Sequence, residues 1–422
     1  MKKVVLGLTL IICTTGAFAQ KNKVVSAYNY NKAFTRSGKC ADLQKGIEAI
    51  NAAIAYDQTK SWAKTWYYRG NLYYNILASK DEACKKIAPN ALEVCTDSYL
   101  KTLVLNFEDA ELKKLDLTKE GGGDIMKLMS AVRERKKMDD ETYTSDIIGR
   151  KLPGLSGEYA NKGITEFSNK EYKKAQESFS KSMLLSSFSG KLDTVLMYNT
   201  ALAAEYGEDY ETAKKMYNGL INLGYNIDGN GPGLYGSMAK IYKKEGDEEK
   251  ALEYIKKGRK AYPNDNNLLV SELDYYLQSG KHEESLKNLN LAIEHDGNNA
   301  ILYFARGTVY ESLKQEDNAV ADYKKAIEID PTYYDANFNL GAYYYNSAAD
   351  KINEANKLDL NETKKFNALK ASAKEYFANS VPYIEAANKA KPEDVDAANM
   401  LIKAYTQTGQ YDKAKEIKAK YR

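Results

Sequence analysis

Residues 303–331 read YFARGTVYESLKQEDNAVADYKKAIEIDP, and this stretch decides the fold. Two sets of residues recur in it at steps of four and three, which places each set on one face of a helix: Tyr303, Gly307 and Tyr310, then Ala319, Tyr323 and Ala326. Because Gly307 has no side chain, the second helix can approach the first closely. Pro331 ends the second helix, since proline cannot continue a helix and disfavours helix at the residue before it. The stretch therefore predicts a pair of antiparallel helices.

The same pattern recurs along the chain. Second-helix positions lie 34 residues apart in two series, which are Ala251, Ser285 and Ala319, and then Ser380 and Ala414. Copies around Ala175 and Ala213 are 38 residues apart, and the additional residues fit in the turns between helices. Two further copies precede residue 110, a weak one around Gly46 and a clearer one that begins at Trp66. We count nine units.

The stretch from Tyr303 to Pro331 resembles the tetratricopeptide repeat, although Tyr303 stands where that pattern has Trp and Arg306 where it has Leu. The resemblance covers roughly four fifths of the chain that follows the leader described below. It implies an all-α fold, a right-handed superhelical solenoid of antiparallel helix pairs. It also implies that the first helices of the pairs line a concave groove that binds an extended peptide or a partner helix.

The N-terminal residues differ in kind from the rest. Lys2 and Lys3 precede an apolar run over residues 4–12, and Ala17-Phe18-Ala19 follows it. This is the pattern of a secretory signal peptide over residues 1–19 that is cleaved after Ala19. The apolar run is far shorter than the ~20 residues that span a bilayer as a helix. We therefore expect a periplasmic or secreted protein without a transmembrane segment, with a cell-envelope complex as its candidate setting.

Composition narrows the range of partners. The chain has 61 Lys and Arg against 58 Asp and Glu, so it carries no basic excess of the kind that binds nucleic acid. It has 35 Tyr against 10 Phe and 2 Trp, and such amphipathic rings suit helix pairs whose packed faces border water. The composition is that of a helical protein that binds protein or peptide, not nucleic acid.

Interruptions of the repeat predict the domain organisation. We expect an N-terminal pair of repeats with a Cys-containing insertion over residues 20–108, a linker with one short helix over 109–153, and a C-terminal repeat array over 154–422. Within the array, Ala319 and Ser380 are 61 residues apart instead of 34, and the apolar side chains of the additional residues keep the spacing of a helix. It predicts a helical hairpin at about 346–378 that projects ~20 Å and offers a second contact.

Three cysteines follow the leader, and an exported protein can keep disulfides. A bridge between Cys84 and Cys95 would close a short loop, and this is the pairing we favour. A bridge between Cys40 and Cys84 is the alternative, because Cys40 lies in an inter-helix turn of the adjacent unit. Neither these cysteines nor the two histidines have the spacing of a zinc site, so we expect no metal and no cofactor. The sequence shows no catalytic motif, which indicates that the protein is not an enzyme.

The face of the first helices that is not used for packing supplies the candidate binding residues: Tyr198, Leu202, Ile301, Phe304, Thr308, Phe338 and Tyr345. Exposed apolar groups at these positions would indicate a partner. The alternative is that neighbouring helices cover them. We therefore predict an extracytoplasmic protein–protein interaction scaffold. A glycan- or peptidoglycan-binding accessory protein of the cell envelope is the alternative, since sugars stack on exposed tyrosine rings.

Overall fold

The computed structural model of the protein describes residues 21–117, 123–190 and 192–421. Across these ranges the chain is helical, and the one extended pairing is an isolated bridge between Phe107 and Met138. Within the same ranges, no helix is long and apolar enough to cross a membrane. The expected signal peptide over residues 1–19, with its cleavage site after Ala19, lies outside the described residues.

The chain divides into two compact units, one that ends at Gly231 and one that runs from Pro232 to Arg422. The helices up to the division are α1 (21–37), α2 (Cys40–Ile54), α3 (Asp57–Lys60), α4 (Ala63–Leu77), α5 (Glu82–Lys85), α6 (Ala91–Leu105), α7 (Gly123–Arg133), α8 (Glu141–Asp146), α9 (Leu152–Ser168), α10 (Tyr172–Ser187), α11 (Thr194–Tyr206) and α12 (Tyr210–Asn222).

The remaining helices are α13 (Gly231–Lys244), α14 (Glu248–Ala261), α15 (Asn266–Gln278), α16 (His282–His295), α17 (Ala300–Ser312), α18 (Glu316–Ile329), α19 (Tyr334–Asn356), α20 (Thr363–Ala390), α21 (Val395–Thr408) and α22 (Tyr411–Lys420). Consecutive long helices joined by short connections form antiparallel pairs, from α1 with α2 to α21 with α22. Four pairs precede Gly231 and five begin at or after it, so the described residues contain the nine units counted from the sequence.

Glycines in the first helices allow the pairs to pack closely. A Cβ atom added at Gly307 would lie 2.7 Å from Cε1 of Tyr323, and one added at Gly163 would lie 2.7 Å from Cδ1 of Phe179. In both pairs the aromatic ring of the second helix therefore rests directly on the backbone of the first. This is the close approach that the sequence predicts for Gly307.

In several pairs, a side-chain hydrogen bond also joins the two helices, and its two residues are twelve positions apart in the sequence. The hydroxyl of Tyr217 donates to Oε2 of Glu205 at 2.8 Å, and the hydroxyl of Tyr323 donates to Oε2 of Glu311 at 2.6 Å. In the pair of α9 and α10, the hydroxyl of Ser178 donates in the same way to Oε2 of Glu166 at 2.6 Å. Each bond ties the end of a first helix to the middle of the second.

The described residues of the segment expected to be a linker over 109–153, which are 109–117 and 123–153, pack into the first unit. It contains the expected short amphipathic helix as α7, and Leu128 and Met129 of that helix are buried. Leu115 before α7 and Ile147 after it belong to the same hydrophobic core as helices α4, α6 and α9. The chain divides instead at Gly231, because the apolar side chains of 109–153 are buried against the repeats on both sides.

Helices α19 and α20 are longer than their counterparts in the preceding pair. They have 23 and 28 residues, against 13 in α17 and 14 in α18. The additional residues extend α19 by ~15 Å and α20 by ~21 Å at the α-helical rise. Ala355 and Ala373 are buried between the two helices, whereas Leu360 at the tip is fully exposed. The region 346–378 is therefore a helical hairpin with one fully exposed leucine at its tip.

Candidate functional site

The seven predicted binding residues lie on first helices, and the structure divides them between the two units. Tyr198 and Leu202 are on α11 of the first unit, whereas the other five are on α17 and α19 of the second. All seven are half-buried, so none is fully exposed and none is completely covered. The five on α17 and α19 are therefore the set that one unit brings together.

Two of these rings have intramolecular partners. Phe304 has its ring centroid 5.8 Å from that of Tyr323 and 5.3 Å from that of Tyr333. Tyr345 lies 5.4 Å from Phe377 in an edge-to-face contact. Both rings thus contribute to the packing of their own helix pair, and only their remaining faces are accessible.

Four of the other predicted residues also have contacts within their own unit. Phe338 stacks on Tyr334 of the same helix at 5.7 Å, and Tyr198 stacks on Tyr225 at 5.5 Å. The hydroxyl of Thr308 donates to the backbone carbonyl of Phe304 at 3.1 Å, as is common for threonine in a helix. Ile301 packs at the border of an apolar cluster that includes Leu302.

A row of apolar side chains runs along the second unit at the repeat interval. Phe304 and Phe338 are 34 residues apart, and Val270 on α15 is 34 residues before Phe304. Val270 is 44% exposed, which makes it the most accessible member of this row. Sequence reasoning missed it, although the interval that locates the two phenylalanines locates Val270 as well. We refer to Val270, Phe304 and Phe338 as the first-helix row.

The disulfide joins Cys40 and Cys84, whose Cα atoms are 5.0 Å apart. The favoured pairing of Cys84 with Cys95 is therefore wrong, and the alternative is confirmed. Cys95 is a buried free thiol whose Sγ donates to the carbonyl of Gly70 at 3.4 Å, and burial raises the pKa of this thiol well above its usual range. The reason is geometric, because α6 directs Cys95 towards α4 whereas α5 carries Cys84 to the start of α2.

One group of potential metal ligands occurs in the described residues, and it surrounds this disulfide. Cys40, Asp81 and Cys84 have ligand atoms within 4.8 Å of one another. Because the two sulfurs are bonded to each other, neither is a thiolate, and only the carboxylate of Asp81 retains ligand character. The group is therefore explained by the disulfide.

A second candidate site lies in the first unit, where the sequence predicts a linker. Helices α4, α6, α9 and α10, together with residues 115–117 and Ile125, line a cavity of about 490 Å³. Its lining includes Trp66, Arg69, Asp97 and Lys181. Sequence reasoning missed these residues, because they are up to 115 positions apart and share no motif.

Comparison with known families agrees with the helix pairs. Residues 232–265, 300–333 and 322–357 match models of the tetratricopeptide repeat, and residues 397–418 match a model of the PPR repeat. Three of the matches fall on helix pairs, among them the pair of α17 and α18 that contains the deciding stretch, and the match over 322–357 runs from α18 into α19. The second unit therefore contains tetratricopeptide repeats.

Two named relatives contain the same repeat. The Small glutamine-rich tetratricopeptide repeat-containing protein 2 of Saccharomyces cerevisiae is 33% identical over 140 residues, which cover 31% of this chain and 38% of the relative. The Small glutamine-rich tetratricopeptide repeat-containing protein of Dictyostelium discoideum is 34% identical over 73 residues, 17% of this chain and 22% of the relative. The matched region thus spans well under half the length of each relative.

Solved structures with the same repeat are more distant. YrrB, described as a TPR protein with an unusual peptide-binding site, is 21% identical, with 46% of this chain and 94% of that chain covered at a TM-score of 0.30. A TPR repeats protein from Bacteroides fragilis is 20% identical, with 60% and 98% covered at a TM-score of 0.29. At these scores no common overall arrangement follows.

Proposed function

We propose that this protein is an extracytoplasmic scaffold that binds a protein partner, as an extended peptide or a helix, and that it is not an enzyme. The tetratricopeptide repeats matched in the second unit support binding to protein. The leader pattern at residues 1–19 supports export and cleavage after Ala19. The Cys40–Cys84 bridge supports an oxidising compartment such as the periplasm or the exterior, where disulfides persist. The glycan-binding alternative has no comparable support.

The first-helix row is the proposed contact surface. Apolar side chains repeat there at one position of three successive first helices, and the most accessible of them, Val270, is 44% exposed. A partner segment that lies across the row would bury this apolar surface, which is favourable in water. The half-buried Ile301, Thr308 and Tyr345 lie on the same helices and would flank that segment.

The experiment compares two charge insertions within one helix pair. Val270 on α15 and Leu291 on α16 are exposed to similar degrees, 44% and 48%, but lie on the first and second helix respectively. We expect Val270→Glu to reduce partner recovery at least about tenfold, because a carboxylate cannot be buried against an apolar segment without a compensating partner. Leu291→Glu should leave recovery unchanged.

Recovery is measured in the native cell by crosslinking to a C-terminally tagged protein, followed by purification from the extracytoplasmic fraction. The recovered chain should begin at Gln20. Equal recovery of the same partner with both variants would exclude the first-helix row as the contact surface. A chain found only in the cytoplasmic fraction, with residues 1–19 intact, would contradict the proposed location.

A further inference from the structure

The cavity in the first unit has the size and lining of a site for a small molecule. Its floor consists of side chains that are almost completely buried: Leu100, Leu115, Tyr159 and Leu185. Trp66, Leu117, Ile125 and Leu184 form half-buried walls. The volume of about 490 Å³ falls within the range of roughly 300–1,000 Å³ that is usual for pockets that bind small ligands.

Arg69 brings a positive charge to the wall of this apolar cavity. One of its terminal nitrogens, Nη1, donates to Oγ of Ser98 at 2.8 Å, and the guanidinium lies 5.7 Å from the ring centroid of Trp66. Its Nε is buried and has no hydrogen-bond partner among the described residues. Burial lowers the pKa of Arg69 from its usual value. A half-buried guanidinium is stabilised when an anion in the cavity accepts hydrogen bonds from its terminal nitrogens.

The carboxylate of Asp97 in the lining interacts electrostatically with Arg69, but Asp97 is exposed and makes no direct ion pair with Arg69. In the described part of the chain, Arg69 forms no ion pair, and neither does Lys181, whose Nζ lies over the ring of Tyr159 at 5.5 Å. The lining contains three cations, Arg69, Lys101 and Lys181, and two carboxylates, Asp97 and Asp116. Asp97, Asp116 and Lys181 are exposed, whereas Arg69 and Lys101 are half-buried, so the less exposed charges of the lining are positive.

We propose that this cavity binds a small amphiphilic carboxylic acid. Its aliphatic chain lies among the leucines of the floor, and its carboxylate accepts hydrogen bonds from the guanidinium of Arg69. The apolar lining favours the chain by burial, and the half-buried guanidinium favours the acid over a neutral analogue. The inference does not depend on the first-helix row, which lies in the other unit.

The test uses Trp66 as a reporter, since it lines the cavity. The chain contains two tryptophans, so a Trp62→Phe protein retains Trp66 alone. Titration with decanoate should give a saturable change in its fluorescence. Decanol, which lacks the charge, should bind at least about tenfold more weakly, and acetate, which lacks the chain, should give no saturable change.

Two substitutions in the same background identify the site. Arg69→Met should weaken decanoate binding at least about tenfold, as expected for loss of a hydrogen bond between two charged groups. Arg36→Met, on the exposed surface of α1, is the matched control and should bind like the parent. Leu184→Phe, which narrows the cavity and leaves Arg69 in place, should also weaken decanoate, so the test does not depend on the folding of one variant.

Three results would overturn the proposal. They are equal affinity for decanoate and decanol, unchanged decanoate binding in a folded Arg69→Met or Leu184→Phe protein, and binding of an acetylated peptide that ends in leucine without any binding of decanoate. The last result would assign the cavity to a protein C terminus.

Discussion

Asp394 illustrates how one side chain can serve two elements of the second unit. Its Oδ1 accepts a hydrogen bond from the backbone nitrogen of Ala397 at 2.8 Å and so caps α21. Its Oδ2 accepts from the hydroxyl of Tyr334 on α19 at 2.6 Å. The bond from Tyr334 and the backbone bond from Ala397 lower the pKa of Asp394. The carboxylate thus joins the start of one first helix to the start of another.

We expect Asp394→Ala to lower the free energy of unfolding by about 1–2 kcal/mol, the usual effect of removing an N-cap. Because the pKa of Asp394 is lower in the folded protein, its stabilisation is present above the ordinary aspartate pKa of about 4 and is lost as the pH falls through the folded value. The difference between wild type and variant in urea denaturation, followed by circular dichroism, should therefore shrink in acid. Asp396→Ala, two residues on, is the control, and an equal loss there would contradict the capping role.

The sequence predicts individual residues well where the cause is local. The repeat spacing identifies Gly307 as a position of close approach, and the structure shows the ring of Tyr323 against it. Arg306 appeared only as a departure from the repeat pattern. In the structure its Nε and Nη2 donate to the two carboxylate oxygens of Asp322, each at 2.7 Å. A residue sixteen positions away cannot be recognised as its partner until the helices are placed.

At the scale of elements, the Cys40–Cys84 bridge holds the insertion after α4 against α2. Cys40→Ser should lower the free energy of unfolding of the first unit by about 2–4 kcal/mol, because the bridge restricts the unfolded chain. The measurement is chemical denaturation followed by tryptophan fluorescence. A reducing agent should bring the wild type to the level of the variant and leave the variant unchanged.

Peptide mapping without reduction provides the structural control for this prediction. It should recover Cys40 and Cys84 in one linked pair of peptides, and Cys95 as a thiol that reacts only after unfolding because it is buried. A linked pair containing Cys95 would contradict the structure.

The hairpin of α19 and α20 and the insertion that contains α5 differ in how far the sequence predicts them. The hairpin of α19 and α20 is periodic within each helix, so its spacing alone indicates two long helices, although not that α20 gains more length than α19. Which cysteine pairs with Cys84 depends on the turn that α5 contacts. Proximity in sequence favours Cys95 as the partner of Cys84, but the helical direction of α6 turns that thiol towards Gly70.

At the scale of the whole molecule, each of the two units has its own buried core. Both tryptophans lie in the first unit, so their fluorescence reports that unit alone, whereas circular dichroism reports all helices. Ile384 in the second unit is fully buried, and one of its side-chain atoms would lie 2.6 Å from a Cβ atom added at Gly341. It is thus a packing centre far in sequence from both reporters.

We expect Ile384→Ala to destabilise the second unit by about 2–5 kcal/mol through the lost burial and the cavity left behind. In chemical denaturation, part of the circular dichroism transition should move to lower denaturant while the tryptophan transition stays in place. Leu103→Ala, a fully buried position in the first unit, should have the reciprocal effect. Parallel shifts of both signals with either variant would show one cooperative unit instead of two.

The cavity is the feature that sequence analysis is least able to provide. Trp66, Leu115 and Lys181 come from separate helices and a connecting segment, and no local spacing relates them. The apolar residues of α7 indicate that the helix packs on something, but not on which helices. Such a site emerges only when the whole unit is assembled.

The bond that joins residues twelve positions apart has a consequence for the order of folding. Tyr217 with Glu205, and Tyr323 with Glu311, close short chain segments around a single turn. Closing a short segment costs little chain entropy, and contacts between residues near in sequence form quickly. Each helix pair can therefore align its two helices before it contacts the neighbouring pairs. Assembly of a unit then consists of docking helix pairs that are already aligned.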